Sequence, residues 1–518
     1  MNFEKVIPGA KETIAVIIPP VVVHHLDPHT GIPFMPHVAA YLAGALRHAG
    51  YSVQVLDCFG LNPHERQVVE EFMLLGVSED EVALNISPEV KLCFIYCRTM
   101  SESIAVSRMI KAIKKHCSNI KICLFENTQA VTSFSLRDLA SNFLYDGCDF
   151  LIMGDPEKTA IRFLKGLSHN ESLQEIPGIV FMRNEDHTVF SSSAVHEKKL
   201  DELPLPAWDL FPLKGYWTAG FAHAPIIAGE RFLPILTSRG CPYRCRFCIA
   251  PTLNNTWRAR SALNVVKEME YFYKKMNITD FHVSDLNPTV SDKRIREICQ
   301  IILKQDLPVK WKLAQGTKIE TIKNEETLEL MAKAGCVYIS FSPESGSNRI
   351  LESVSKPFDF EHALRMVRKM NKLGIRSQAC FIAGLPGEEG LDRLKSLLYV
   401  KKLVEAGLDE INVPVFTPIP GSDLSQAIKG YSRYAQCTFS PTWRRDYREV
   451  STFRYRMYLT FFLHKLRFPW KVLREIFGFL TGRFETKMEM SFFKLIKLHT
   501  LRYCPGLFRL KHTDEEKA

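Results

Sequence analysis

Three cysteines stand at C-x3-C-x2-C spacing in one short segment of the chain. Cys241, Cys245 and Cys248 follow an apolar, strand-like run at residues 232–236. Three thiolates this close together can bind three corners of a [4Fe–4S] cube, and without a fourth cysteine one iron is left open to a small chelating molecule. A structural zinc site would need four ligands, usually as two separated Cys/His pairs, and the sequence has no second pair nearby. The spacing therefore predicts a reaction centre.

The cysteine segment, with the aromatic Phe247 just before its last cysteine, resembles that of the radical S-adenosylmethionine superfamily. Further landmarks of that superfamily follow in matching order at residues 257–261, 343–347, 381–388 and 417–422. The resemblance implies that S-adenosylmethionine chelates the open iron, and that an electron from the cluster cleaves it to a 5′-deoxyadenosyl radical.

Strand and helix patterns alternate in two separate parts of the chain. In the first part, a helix at residues 36–49 lies among five buried strands, which favours a doubly wound, Rossmann-like α/β domain; the strands are predicted at residues 13–18, 52–57, 92–96, 121–124 and 150–153. The second part has six strand-helix units, which match a partial (β/α)6 barrel with its site at the C-terminal strand ends; its strands are predicted at residues 232–237, 280–285, 309–314, 337–342, 376–382 and 410–415.

The predicted organisation has four parts. Residues 1–165 form a B12-binding-like α/β domain, 166–228 a β-rich connector, 229–428 the barrel and 429–518 a basic, aromatic helical region. A Leu-Pro-Leu-Pro run, which can continue neither a helix nor a strand, marks the boundary before the barrel. Domains in this order resemble the superfamily branch that carries a cobalamin-binding domain, which includes class B methylases and the anaerobic magnesium-protoporphyrin cyclase.

The resemblance also implies site residues at the ends of the barrel strands. These are Asp285 after the second strand, Gln315 and Lys318 after the third, Glu344 after the fourth, and Gly384 and Pro386 after the fifth. A carboxylate at Glu344 would complement an ammonium group or ribose hydroxyls, and a glycine lets the backbone approach the adenine closely. The structural alternatives are a helix cap for Asp285, a solvated turn for Lys318 and a tight turn for Gly384.

Cobalamin is where the chain departs from that branch. Relatives that bind cobalt through histidine carry D-x-H-x-x-G, whereas this chain has Asp27-Pro28-His29-Thr30-Gly31, with the glycine one residue early, and a simple turn is the alternative. Relatives also place a Gly-Gly pair after the fourth strand to admit the nucleotide tail of the cofactor, whereas residues 125–128 here are Phe-Glu-Asn-Thr. The domain either binds cobalamin differently or has lost it and serves as a substrate lid.

The positive charge of the chain lies in its C-terminal region. The 518 residues have a net charge of +10, and residues 431–518 alone carry 18 Lys and Arg against 8 Asp and Glu, which leaves the rest neutral. Aromatic and cationic residues interleave beyond residue 440, a pattern typical of a helix on an anionic membrane surface, and equally of a helical cap on the barrel. Nucleic acid, which such residues can also bind, is not expected. Fourteen cysteines without a signal peptide predict a location in the reducing cytoplasm. The basic, aromatic C-terminal region adds a predicted peripheral contact with the inner membrane surface.

The predicted function is radical modification of an unactivated carbon in a small hydrophobic substrate that is lipid-like or tetrapyrrole-like. The resemblance favours cobalamin-dependent C-methylation; cobalamin-independent oxidation, cyclisation or carbon–carbon coupling is the alternative. An electron donor such as flavodoxin or ferredoxin would reduce the cluster. An iron–sulfur electron-transfer protein would usually have four cysteine ligands. A methylthiotransferase would carry three further cluster cysteines, whereas the six N-terminal cysteines here are scattered.

Overall fold

The computed structural model describes residues 12–24, 27, 29–130, 136–184, 187–190, 193–227 and 229–503. Two sheets of mainly parallel strands form the frame, one in the N-terminal part and one in the barrel, and three helices follow them. The α/β fold class predicted from the sequence is confirmed.

The N-terminal sheet has the strand order β10-β9-β8-β7-β6-β1-β3. Its strands β8, β7, β6, β1 and β3 are parallel, and β9 and β10 add to them as antiparallel strands. All five predicted strands are present; β1, β6 and β7 are apolar runs that are almost wholly buried, whereas the edge strand β3 is half-buried or exposed over most of its length. The elements are β1 (Thr13–Ile18), β2 (Val21–His24), α1 (His37–His48), β3 (Ser52–Asp57), α2 (Cys58–Leu61), β4 (Arg66–Val69), β5 (Phe72–Leu75), α3 (Glu79–Leu84), β6 (Leu92–Cys97), α4 (Ser103–His116), β7 (Lys121–Glu126), α5 (Leu136–Tyr145), β8 (Phe150–Ile152), α6 (Pro156–Ser168), β9 (Ile179–Asn184) and β10 (His187–Phe190).

A second, three-stranded sheet of order β2-β5-β4 stands beside the first one. The sequence predicts a ligand loop at residues 19–29, yet Val21–His24 pairs antiparallel with Phe72–Leu75. Three consecutive valines favour an extended, buried strand, which explains the difference. The loop that follows β2 is correspondingly shorter than predicted.

The connector between the two sheets packs against helix α1. Its Ala207 N–H donates to the Ala40 carbonyl at 2.9 Å. A Cβ at Gly44 would lie 2.2 Å from the Leu205 carbonyl oxygen, so this contact requires glycine. The connector continues through α7 (Leu213–Thr218) into the barrel.

The barrel sheet is parallel throughout, with the order β11-β14-β15-β16-β17-β18. These are the six strands predicted from the sequence. The elements of this part are β11 (Phe232–Ile235), β12 (Ser238–Arg239), α8 (Ala250–Leu253), β13 (Arg258–Ala259), α9 (Ala262–Met276), β14 (Asp280–Val283), α10 (Asp292–Lys304), β15 (Lys310–Thr317), α11 (Glu325–Lys333), β16 (Cys336–Glu344), α12 (Asn348–Ser353), α13 (Phe360–Leu373), β17 (Arg376–Phe381), α14 (Gly390–Glu405) and β18 (Glu410–Asn412).

Three C-terminal helices cover the barrel: α15 (Tyr447–Lys465), α16 (Pro469–Thr481) and α17 (Lys487–Tyr503). Helix α17 contacts both the barrel sheet and the loop after β2, because Lys487 Nζ donates to the Ala314 carbonyl of β15 at 2.6 Å and Lys494 Nζ donates to the Thr30 carbonyl at 2.7 Å. None of the helices in the described ranges is long and apolar enough to cross a bilayer.

Candidate active site

The three cysteines lie on the loop between β12 and α8. The loop is anchored by two backbone hydrogen bonds, from the Cys241 N–H to the Asn254 carbonyl and from the Cys248 N–H to the Cys245 carbonyl, both 3.1 Å long. Gly240 begins the loop with a φ of +78°, and a Cβ there would lie 2.3 Å from the Thr256 carbonyl oxygen. A glycine at this position therefore lets the chain turn tightly into the first cysteine.

The thiols fit the donor set of a [4Fe–4S] cluster with one open iron. All three cysteines are half-buried, and burial raises their pKa, for Cys248 to about 12, in the protein without metal. Iron binding requires the thiolate, and a bound metal ion deprotonates a coordinating thiol. In the described part of the chain no three His, Cys, Asp or Glu side chains converge on a single ion. A cube does not need such convergence, because each cysteine binds a different iron.

Glu344 ends the fourth barrel strand and lies close to the cysteine loop. Its side chain is buried and forms an ion pair with Lys356 Nζ. The same ammonium group lies 5.8 Å from the centre of the Phe247 ring. The φ of Glu344 is +62°, a left-handed conformation that costs a residue other than glycine roughly 1–3 kcal/mol. The structure thus brings together two of the predicted site residues, Glu344 and Phe247, through a lysine that the sequence analysis did not single out.

Phe247 belongs to a small apolar cluster beneath the cysteine loop. It packs with Val354, Leu385 and Phe416, which come from three different connections after barrel strands. The Arg246 N–H donates to the Val354 carbonyl at 3.0 Å. These contacts fix the segment between the second and third cysteines.

Asp285 is fully buried, and both of its carboxylate oxygens accept hydrogen bonds. Oδ1 accepts from the Thr237 N–H at 2.7 Å, and Oδ2 accepts from the hydroxyls of Thr237 and Ser238 at 2.6 Å. The structure therefore gives Asp285 a positioning role, because it holds the segment that leads into the cysteine loop. The predicted contact with S-adenosylmethionine stays a prediction.

Gln315 lies inside the third barrel strand and not after it as predicted, because β15 runs on to Thr317, whereas Lys318 follows the strand. Gln315 Nε2 donates to the Ser284 carbonyl at 2.9 Å and to the Gln129 carbonyl at 3.3 Å, so it bridges the barrel and the N-terminal domain. Lys318 Nζ donates to the Pro357 carbonyl at 2.6 Å. It also lies 5.4 Å from the ring centre of Tyr243, which is a residue of the cysteine loop. Gln315 therefore marks the boundary where the two sheets face each other.

Gly384 contacts helix α15 on the side where a Cβ would point. That Cβ would lie 2.7 Å from a methyl group of Val450. Arg444 donates to the Gly384 carbonyl at 3.1 Å. Packing against α15 is thus sufficient to require glycine, while the predicted approach of this backbone to adenine stays a prediction. Pro386, two residues on, is half-buried.

Sequence analysis missed a buried charge network that joins the cysteine loop to the N-terminal domain. Arg239, two residues before Cys241, donates to both oxygens of Glu157 at 2.6 and 3.0 Å, and Arg258 donates to Asp155 at 2.6 Å. Arg239 also pairs with Asp155 at 3.2 Å, and all four side chains are at most 7% exposed. The only sequence signal is an arginine beside the first cysteine.

The carboxyl edge of the N-terminal sheet is filled by its own side chains. Phe125 stacks on Tyr96 with ring centres 5.2 Å apart, and Glu126 accepts from the Gly154 N–H at 2.7 Å. Thr128 and Gln129 are buried as well. Side chains therefore occupy the position where the relatives carry Gly-Gly. Gln129 Oε1 is nevertheless buried without a hydrogen-bond partner beside the barrel, so this boundary retains an unused polar atom.

His29 lies where the N-terminal domain meets the C-terminal helices. Asp27 Oδ1 accepts from the His29 N–H at 2.9 Å and from the Ser440 hydroxyl at 3.2 Å, and the His29 ring lies 6.1 Å from that of Phe439. Burial lowers the pKa of His29 to about 4, so its imidazole is neutral at pH 7. Pro28 lies outside the described residues.

Within the described residues, the six N-terminal cysteines do not converge on a second cluster site. Cys58, Cys93, Cys97, Cys123 and Cys148 are buried, and burial raises the pKa of each thiol. Cys117 donates to the Ala83 carbonyl at 3.5 Å. These are packed core thiols.

Comparison with known proteins gives a family match and several similar proteins. Residues 235–400 match the Radical SAM superfamily. The chain is 27% identical to the cytidylyl-2-hydroxyethylphosphonate methyltransferase of Streptomyces wedmorensis, over 74% of this chain and 76% of that protein. It is 24% identical to the anaerobic magnesium-protoporphyrin IX monomethyl ester cyclase of Rubrivivax gelatinosus, over 76% of this chain and 66% of that protein.

A solved structure shows the same fold. The radical S-adenosylmethionine methyltransferase TsrM from Kitasatospora setae, solved with cobalamin and a [4Fe–4S] cluster, superposes with a TM-score of 0.60 at 17% identity, over 81% of this chain and 78% of TsrM. Together the matches confirm the predicted resemblance, with a radical S-adenosylmethionine domain over residues 235–400, and they agree with the prediction that the chain is an enzyme.

Proposed function

Because residues 235–400 form a radical S-adenosylmethionine domain, we propose that Cys241, Cys245 and Cys248 hold a [4Fe–4S] cluster whose open iron takes S-adenosylmethionine. When bound, the cluster and its cosubstrate supply a 5′-deoxyadenosyl radical that abstracts hydrogen from an unactivated carbon. The observation that carries this proposal is the single anchored loop with three half-buried thiols beside the end of the fourth barrel strand.

The residues around the loop would position the cosubstrate and exclude water. Phe247 and its apolar cluster close one side of the loop. Glu344 offers a carboxylate to the amino group or ribose of S-adenosylmethionine, and Lys356 forms an ion pair with it. Holding the substrate in one orientation is the larger part of what a protein contributes to such chemistry.

We propose cobalamin-dependent C-methylation as the reaction. Two observations support it: a methyltransferase matches three quarters of the chain, and the fold is that of a cobalamin-containing methyltransferase. The unpaired Gln129 Oε1 would meet the cofactor between the two sheets.

A second candidate is cobalamin-independent cyclisation, oxidation or carbon–carbon coupling. The observation that favours it is the filled carboxyl edge of the N-terminal sheet, where the side chains of Phe125 and Glu126 take the place of the Gly-Gly pair. The similarity to the magnesium-protoporphyrin cyclase agrees with it.

Two measurements test these proposals. After anaerobic reconstitution with iron and sulfide, the protein should form 5′-deoxyadenosine from S-adenosylmethionine and a reductant; an electron-transfer protein would not. The reconstituted protein is then mixed with hydroxocobalamin and desalted. Retained corrinoid absorbance supports methylation, whereas its loss with continued 5′-deoxyadenosine formation supports the second candidate.

Partners and location complete the proposal. Radical S-adenosylmethionine enzymes need an electron donor, and we propose flavodoxin or ferredoxin for this one. We also propose a small hydrophobic substrate, a cytoplasmic location and peripheral membrane contact through the C-terminal helices, supported by the positive charge of that region. A hydrophobic substrate could then pass directly from the bilayer to the enzyme.

A further inference from the structure

Helix α16 turns its apolar side away from the protein. Trp470, Leu473, Phe477 and Leu480 are each more than half exposed, and Trp470 is 82% exposed. At about 100° per residue these four side chains share roughly a third of the helix circumference. The apolar side of a surface helix normally faces the core, but the sole buried residue of α16 is Gly478.

Helix α15 continues this apolar surface. Its inner side buries Phe453, Met457 and Phe461, so the predicted cap on the barrel is present. Its outer side exposes Tyr455, Leu459, Leu463 and Leu466, and Pro469 begins α16 three residues later. We call the exposed set the docking stripe; it consists of Tyr455, Leu459, Leu463, Leu466, Trp470, Leu473, Phe477 and Leu480.

The charges around the docking stripe are positive. The one acidic residue of α16, Glu475, is turned inward and pairs with Lys465 at 2.7 Å. Arg456 and Arg483 are exposed and have no ion pair within the described ranges, while Arg474 pairs with Glu485. An apolar stripe flanked by arginines complements the surface of an anionic bilayer.

We infer that the docking stripe binds the surface of an anionic membrane. Its leucines and aromatic rings enter the boundary between headgroups and acyl chains, and Arg456 and Arg483 contact lipid phosphates. Helix α16 has 13 residues, fewer than the ~20 that a spanning helix needs, so it lies in the plane of the interface. A second copy of the chain fits less well, because a twofold contact would bring the same arginines of both copies towards each other.

This inference specifies the proposed membrane contact and does not depend on the radical reaction. The test is co-sedimentation of the full-length, reconstituted protein with vesicles of phosphatidylcholine alone or mixed with phosphatidylglycerol. Binding should be strong only to the mixed vesicles. Trp470→Glu with Phe477→Glu should weaken it by about tenfold or more, because two anchoring rings become charges. Arg456→Gln with Arg483→Gln should remove the preference for anionic lipid.

The matched control is Val68→Glu with Leu84→Glu, two similarly exposed apolar residues far along the chain from the docking stripe. This control should bind like the unmodified protein, and all variants should still form 5′-deoxyadenosine without vesicles. Failure of the unmodified protein to sediment with anionic vesicles overturns the inference. So does a lipid-independent dimer that Trp470→Glu with Phe477→Glu converts to a monomer. Vesicle binding without any 5′-deoxyadenosine would refute the proposed reaction and leave the docking stripe intact.

Discussion

The carboxyl edges of the two parallel sheets occupy the same topological position but differ in what their side chains do. In the N-terminal sheet, the strand-end acid Asp57 accepts from the Gly60 N–H and the Tyr216 hydroxyl, and Glu126 accepts from backbone N–H groups. In the barrel, the loop between β12 and α8 carries three thiols. The Ala250 N–H donates a long hydrogen bond of 3.4 Å to the sulfur of Cys248.

The difference shows that a ligand site requires unused binding capacity as well as a place in the fold. Carboxyl ends of parallel strands are where ligands of α/β proteins bind. At the N-terminal edge most of that capacity is used within the protein, although Gln129 Oε1 and the Tyr96 hydroxyl are buried without a hydrogen-bond partner in the part of the chain that the structure describes. At the barrel edge the three thiols keep their capacity to bind a ligand. The first edge stabilises the fold, and the second can bind a cofactor.

The largest expected effect is on the cysteine loop. Changing Cys241, Cys245 or Cys248 to alanine should abolish cluster binding and 5′-deoxyadenosine formation, because two thiolates cannot hold the cube at three corners. Iron per chain and product formation after anaerobic reconstitution measure this. Cys117→Ala, a partly exposed cysteine of the N-terminal domain, is the control and should behave like the unmodified protein. Full activity after any of the three loop changes would place the reaction elsewhere.

The next-largest effect is expected at the buried charge network of Arg239, Arg258, Asp155 and Glu157, which joins the cysteine loop to the N-terminal domain. Arg239→Ala leaves the buried Glu157 without its arginine and removes one of the two arginines that pair with Asp155, and should lower the free energy of unfolding by about 3–5 kcal/mol. Iron retention should fall with it, because Arg239 leads into the cysteine loop. Urea unfolding and iron content report the two effects.

The matched control for this network is Arg47→Ala, since Arg47 and Asp209 form an equally short but exposed pair at 2.6 Å. It should cost only about 0–1 kcal/mol. If Arg239→Ala does not fold, Glu157→Gln, which keeps one acceptor oxygen, should show an intermediate loss. Equal effects of the buried and exposed changes would mean that the two edges are not coupled.

The sequence predicted the features that depend on neighbouring residues. Strand β1 has the predicted bounds because an apolar run ends at two prolines, and the cysteine loop was recognised from spacing alone. The six barrel strands were found for the same reason. Features that depend on distant partners were missed: Arg239 and Glu157 are 82 positions apart, and the pairing of β2 with β5 has no local signal beyond three valines.

The site residues illustrate the same limit. Glu344 ends its strand and Asp285, Lys318 and Gly384 follow theirs as predicted, whereas Gln315 lies inside β15, and the side-chain directions were not predicted. Asp285 turns back towards Thr237, and Gly384 is required by Val450 of a helix that begins far along the chain. Lys356, which pairs with Glu344, has no motif around it. Direction follows from packing between separate segments, which periodicity does not encode.

The N-terminal edge should reveal its structural character in its pH dependence. Burial raises the pKa of Asp57 to about 6, so between pH 4 and 6 the folded state binds more protons than the unfolded state, and stability falls as the pH rises. Asp57→Asn removes this dependence, which is worth roughly 3 kcal/mol across the window. Urea unfolding at both ends of the window measures it, with the exposed Asp423→Asn as control. Parallel curves for Asp57→Asn and the unmodified protein would show that Asp57 carries no such penalty.

The smallest expected effect distinguishes two roles for Glu344 at the barrel edge. If its carboxylate contacts S-adenosylmethionine, Glu344→Gln should raise the KM for that cosubstrate by about tenfold, or roughly 1.4 kcal/mol. Lys356→Gln, which removes the ion pair but keeps the carboxylate, should change KM much less. Equal KM values for Glu344→Gln and Lys356→Gln would instead mean that the acid acts only through its lysine, and the barrel edge would then resemble the N-terminal edge in everything but its thiols.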